Sequence, residues 1–180
     1  MRSFIALPIP ETTLDPLTRV QSAIPVGRPV AEDNLHLTLA FLGDVDEPGL
    51  QDLHLSLQSL RAAPVDITFD GLDSFTEMER GLVYAAVRNT PQIKDLHAAV
   101  ARAARAAGLT LPRRRFRPHV TLTRANRRPD GVARDRLAAM MGQAAPDIPP
   151  FAADRMCLYR SDLTPSGARH EVLAEYPLIG

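Results

Sequence analysis

The chain opens on Ser3-Phe4-Ile5-Ala6-Leu7, an apolar run that predicts a strand over 3–9. Leu14, Leu17, Val20 and Ile24 then recur at helical spacing, so 11–23 reads as a helix. Pro16 does not suit a helix interior, which places the true start near Asp15. A second strand over 35–42 is closed by Gly43-Asp44, and Leu50, Leu53, Leu57 and Leu60 stripe an amphipathic helix over 48–62. Residues 65–75 and 82–88 are β-rich and joined by a polar turn around Glu79-Arg80-Gly81, the pattern of an antiparallel pair. Pro91 opens the longest helix, which runs through Ala107 and stops at Gly108. A strand over 118–124 follows, then a helix from Arg134 to Gln143 that a Pro-rich stretch over 146–150 ends. Phe151 to Tyr159 and Arg169 to Tyr176 read as two strands joined by a turn through Thr164-Pro165-Ser166-Gly167. Strands with intervening helices, in neither a strict βαβ series nor an all-β run, make the fold class α+β.

The chain has 180 residues, 45% of them hydrophobic, enough for one generous domain or two small packed lobes. Lys+Arg and Asp+Glu balance at 21 each, so no global positive field holds a long nucleic acid and any such contact is local. Cys157 is the single cysteine, which excludes an internal disulfide framework and a multi-cysteine zinc site and fits a reducing cytoplasm. The N-terminal run is too short for a signal peptide and no apolar run approaches membrane length, so a cytoplasmic protein is expected. Arginine dominates the positive charge, Lys94 being the only lysine, and this fits a GC-rich prokaryotic genome rather than a functional choice.

The chemistry lies in a doublet. His36-Leu37-Thr38-Leu39 recurs as His119-Val120-Thr121-Leu122, 83 residues further on, so each half of the chain contributes one copy. On a strand the His and Thr of each copy project from one face and the aliphatic residues from the other. Two imidazoles can hold one neutral and one protonated ring at the same pH, which is what a base and an acid need. Acting on a phosphodiester, the neutral ring takes the proton of attacking water and the charged ring protonates the leaving alkoxide, each worth about 10²–10⁴-fold. The threonine hydroxyls are placed to donate to the non-bridging oxygens. Neither motif carries a second metal-ligating side chain at ligand spacing, so no metal or other cofactor is expected. The near-symmetry of the motifs leaves either order of acid and base open, and a bell-shaped pH dependence peaking at roughly pH 6–7.5 follows.

With these motifs the sequence resembles the two-histidine phosphoesterases, and within them the RNA 2′,3′-cyclic phosphodiesterase branch, also called 2′-5′ RNA ligase or LigT-like. The resemblance is carried by Ser3-Phe4-Ile5-Ala6-Leu7, Gly27-Arg28-Pro29-Val30, Asn34-Leu35-His36-Leu37-Thr38-Leu39-Ala40-Phe41-Leu42-Gly43 and Phe116-Arg117-Pro118-His119-Val120-Thr121-Leu122-Thr123-Arg124. Leu158-Tyr159-Arg160-Ser161 and Tyr176-Pro177-Leu178 extend it to the C-terminus. It implies one two-lobed domain over 1–180, with pseudo-twofold-related lobes of mainly antiparallel sheet, outer helices and a central cleft. It implies His36 as proton donor, His119 as proton acceptor, and Thr38, Thr121 and Arg124 as phosphate-binding residues. Strict alternation sets Arg124 on the face opposite His119, so it must lie at the strand's end to reach phosphate. The implied partners are RNA ends bearing 2′,3′-cyclic phosphate, tRNA fragments or small cyclic nucleotides, met by a monomer.

Two alternatives stand beside hydrolysis. Joining of RNA ends without ATP would run the same chemistry backwards, since Lys94 lacks the Lys-x-Asp-Gly setting that captures adenylate. A non-catalytic RNA-end-binding module is disfavoured by zero net charge and few aromatics. His54, His97 and His170 read as structural histidines, Phe116 as core and Cys157 as a small buried hydrophobe. Arg113, Arg114, Arg115 and Arg117, with Arg127 and Arg128, read equally as a solvated face or as a phosphate-backbone contact beside His119.

Overall fold

The computed structural model describes residues 1–75, 82–125, 130–141, 147–165 and 167–180. The turn at Glu79-Arg80-Gly81, together with Arg127, Arg128, Pro146 and Ser166, lies outside them. The elements run β1 (Arg2–Pro8), α1 (Glu11–Ala23), β2 (Arg28–Pro29), a 3₁₀ turn (Glu32–Asn34), β3 (His36–Asp44), α2 (Glu47–Gln58), β4 (Val65–Ile67), β5 (Phe69–Phe75) and β6 (Leu82–Val87). They continue with α3 (Pro91–Ala106), β7 (His119–Arg124), α4 (Gly131–Met141), β8 (Phe151–Ala153), β9 (Arg155–Thr164) and β10 (Gly167–Pro177).

Seven strands form one antiparallel sheet in the order β10-β9-β1-β3-β7-β6-β5, with β2 added beside β7. The two motif strands, β3 and β7, are neighbours at its middle, and they share one residue pair, Leu37 with Val120. A first half-sheet of β10, β9, β1 and β3 thus meets a second of β7, β6 and β5 along a narrow seam.

Helix signals act where the sequence places them. Asp46 caps α2 by accepting from Gly49 N at 3.1 Å, and Thr90 caps α3 with Pro91 at its first position. Gly108, with φ of +77°, follows α3 in the left-handed conformation that favours glycine. Helix α1 differs from expectation: it begins at Glu11, and Pro16 sits inside it. The carbonyl that Pro16 cannot serve belongs to Thr12, an exposed residue. Helix α2 ends at Gln58, short of 62, with Ser59 as its C-cap.

Two expected strands are each broken at one residue. Thr68 separates β4 from β5 and Asp154 separates β8 from β9, and β4 pairs with β8 in a separate two-stranded sheet. The interrupting carbonyls keep partners: Thr68 O accepts from Arg88 N at 2.8 Å and Asp154 O from Leu178 N at 2.7 Å.

Leu37, Leu39, Val120 and Leu122 face the helices and are fully or nearly fully buried with Leu17, Leu53, Ile93 and Val100. Truncating Leu37 or Leu122 to alanine would cost on the order of 2–5 kcal/mol. The core therefore anchors the back of both motif strands and leaves their polar residues on the other face of the sheet.

Candidate active site

At the seam the pairing is antiparallel, and extending the register from Leu37 and Val120 by one residue sets His36 opposite Thr121 and Thr38 opposite His119. The two motifs are thereby brought together head to tail about a local twofold. Each imidazole is fixed in the same way. His36 Nδ1 donates to the Asn34 carbonyl at 2.7 Å, and His119 Nδ1 donates to the Arg117 carbonyl at 2.7 Å. A carbonyl only accepts, so each neutral ring carries its proton on Nδ1 and keeps the Nε2 lone pair for chemistry. The hydroxyls of Thr38 and Thr121 bond to no other described residue.

Aromatic rings wall each histidine. Phe4 stacks on His36 at 4.7 Å and on Tyr159 at 5.0 Å, while Phe75 and Tyr84 lie 4.8 and 5.0 Å from His119. Tyr84 is held by its hydroxyl, which donates to Asp73 Oδ2 at 3.0 Å. These walls desolvate the imidazoles. Burial pushes the pKa of His36 down to about 4, against a partial upward pull from the Asn34 hydrogen bond, and the charges of His170, Arg124 and His119 lower it further. Burial also lowers His119, with Arg124 adding to the effect. Both rings are thus neutral near pH 7 in the ligand-free protein.

The expectation that Arg124 lies on the face opposite His119 fails at a β-bulge. β6 pairs Tyr84 with Thr121 and Val83 with Thr123, skipping Leu122. Leu122 and Thr123 are consequently both buried, and alternation restarts with Arg124 on the His119 side, at the last residue of β7. The Arg124 charge is felt by His36, His119 and His170 alike. No carboxylate pairs with it among the described residues, and burial together with Arg2 lowers its pKa. An unpaired guanidinium among three imidazoles is a place for an anion.

β3 carries the same irregularity. β1 pairs Ala6 with Thr38 and Ile5 with Ala40, skipping Leu39, so Phe41 turns outward and is 54% exposed. Phe41 and Arg124 each stand five residues after a motif histidine, and both sequences read His-x-Thr-x-x before them. Sequence reasoning missed Phe41 because alternation alone hides it. The equal spacing of the two residues was the available signal.

It also missed His170, read as structural. Its ring packs edge-on against His36 at 5.1 Å and against Phe4 at 4.8 Å. The start of β10 is pinned there by Asn34 Nδ2, which donates to the Ala168 carbonyl at 2.6 Å. Nothing in the sequence near Arg169 and Glu171 signals this proximity. His54 Nδ1 bonds the Tyr176 hydroxyl and His97 stacks on Phe116 at 3.9 Å. Arg113, Arg114, Arg115 and Arg117 are exposed, and Cys157 is buried.

An α+β molecule whose antiparallel half-sheets each present one His-x-Thr pair to a common seam has the fold of the two-histidine phosphoesterases. The chain belongs to the 2′-5′ RNA ligase superfamily, whose family model matches residues 10–165. It is 31% identical over 156 residues to an RNA 2′,3′-cyclic phosphodiesterase of Thermotoga maritima, covering 84% of this chain and 79% of that one. A Geobacillus stearothermophilus protein of the same name is 28% identical over 184 residues, covering 98% of this chain, which spans only 57% of that longer relative. The fold matches the crystal structure of Escherichia coli LigT complexed with 3′-AMP, with a TM-score of 0.79 over 99% of this chain and 98% of that one at 24% identity. Among the described residues no helix is long and apolar enough to cross a membrane.

Proposed function

We propose that this protein hydrolyses 2′,3′-cyclic phosphate ends of RNA, or nucleoside 2′,3′-cyclic phosphates, to the 2′-phosphate. The observation that carries this reading is the matched pair of Nδ1-to-carbonyl hydrogen bonds, which commit both imidazoles to act through Nε2 on either side of one seam. The names of the curated relatives point to the same substrate class.

In this reading His119 Nε2 takes a proton from water as its oxygen bonds to phosphorus. The bond from phosphorus to O3′ breaks, and His36 Nε2 supplies the proton that O3′ needs. Thr38, Thr121 and Arg124 meet the non-bridging oxygens, where charge grows. The exposed ring of Phe41 offers the base an apolar face. Because both rings are neutral in the free protein, His36 takes up its proton from solvent as the anionic phosphate binds and its negative charge favours the protonated ring. The protein acts as a single two-lobed monomer in the cytoplasm on RNA ends, tRNA fragments or small cyclic nucleotides.

The test is incubation with a nucleoside 2′,3′-cyclic phosphate in EDTA, followed by phosphorus NMR of the product. A 2′-phosphate formed at undiminished rate supports the reading. No turnover, or turnover only after metal is added, overturns it.

A further inference from the structure

Both bulges are held by a side chain reaching in from a helix. Gln21 of α1 is only 9% exposed, and its Nε2 donates to the Leu122 carbonyl at 2.7 Å and to the Val30 carbonyl at 2.9 Å. Leu122 is the residue that β6 skips. Its carbonyl also accepts from Val30 N at 2.9 Å, so Gln21 ties together the bulge and the segment that pairs with it. The relationship repeats in the other half. The skipped residue of β3 is Leu39, and its carbonyl accepts from His97 Nδ1 of α3 at 2.8 Å.

A bulge leaves the extra residue outside the ladder with β6, and the Leu122 carbonyl is bonded instead by Val30 N and Gln21 Nε2, with Gln21 also carrying the Val30 carbonyl. A one-residue slip of the strand turns every following side chain to the other face, and a side chain fixed to the skipped residue's carbonyl opposes that slip. In β7 the residue that follows the bulge and matters most is Arg124. We propose that Gln21 is a positioning residue for Arg124, acting through the Leu122 carbonyl. Among the described residues Gln21 bonds no motif histidine or threonine side chain, and it works by fixing where alternation restarts. The inference rests on the phosphodiesterase reading of Arg124.

Gln21→Met keeps the shape and removes both donors, so the test is a double-mutant cycle on kcat/KM for a nucleoside 2′,3′-cyclic phosphate. Gln21→Met should lose about 10–100-fold in the wild-type background, the scale of a misplaced catalytic contact. In an Arg124→Ala background it should lose nothing further, within about twofold. Thermal melting of all four proteins separates this from unfolding. Should Gln21→Met fail to fold, Gln21→Glu, which keeps one donor when its buried carboxyl is neutral, should show a smaller loss that likewise vanishes beside Arg124→Ala. A Gln21 effect that multiplies with that of Arg124→Ala, or no effect at all, overturns the positioning role. An Arg124→Ala protein with undiminished turnover overturns the reading of Arg124 itself, and the positioning role with it.

Discussion

Arg124 and Phe41 occupy the same place in the two motif strands: each stands five residues after a motif histidine, beyond a one-residue bulge, on the face that carries the histidines. One half of a near-symmetric site therefore ends in a cation and the other in an aromatic ring. A cyclic nucleotide has the same asymmetry, with an anionic phosphate at one end and a flat base at the other.

The two residues should fail differently when removed. Arg124→Ala should reduce kcat by about 10²–10³-fold, because it deletes a charge aimed where transition-state charge grows. Phe41→Ala should instead raise KM by about tenfold or more with kcat largely kept, the scale of one base-stacking contact. Steady-state kinetics on a nucleoside 2′,3′-cyclic phosphate check both, and an Arg124→Ala change confined to KM would contradict the first.

Loss of a threonine hydroxyl should be milder than loss of the guanidinium. Thr38→Val and Thr121→Val each preserve shape and remove one donor, so each should cost about 10–10³-fold in kcat. Threonines that merely support the strands would leave kcat unchanged.

The pH dependence follows from the lowered histidines. kcat/KM reports ionisations of the free protein, where His36 titrates at about 4 and His119 below its ordinary value, so its bell should peak below pH 6.5. That is more acidic than the pH 6–7.5 read from unperturbed imidazoles. kcat reports the phosphate-bound protein and should peak at higher pH, since the anion raises both rings. His170→Phe keeps a ring against His36 and removes a charge that opposes its protonation, so His36 should titrate higher in this variant. Proton NMR of the His36 ring measures the shift directly. The same histidines govern acid stability. Their folded pKa values lie below the unfolded value of 6.5, so the unfolded chain binds more protons and stability should fall as pH drops from about 6.5 toward 4.

Gly27 has φ of +80°, and a Cβ there would stand 2.9 Å from the carbonyl carbon of Arg124. Gly27→Ala meets both the left-handed backbone and the collision, so it should lower the melting temperature and reduce turnover together. A variant that melts like wild type with full activity would contradict this.

Much of the fold was legible because its signals are local. Pro91 and Gly108 bracket α3 as the sequence indicates, and period-two alternation places both His-x-Thr pairs on one face of their strands. What escaped depends on partners distant in sequence. The bulge in β7 is visible only in its register with β6, and it reverses the face that alternation assigns to Arg124. His170 reaches His36 only because Asn34 pins the start of β10 beside β3. β4 and β5 separate where β8 pairs with β4. None of these leaves a mark in a window of neighbouring residues.

The most direct test of two imidazoles each moving a different proton compares His36→Ala, His119→Ala and the double variant under saturating substrate in EDTA. Each single change should remove most of kcat while circular dichroism shows the fold intact, and the double variant should be little worse than either, because residues acting as a unit are not additive. Near-normal turnover by either single variant would contradict the two-histidine account.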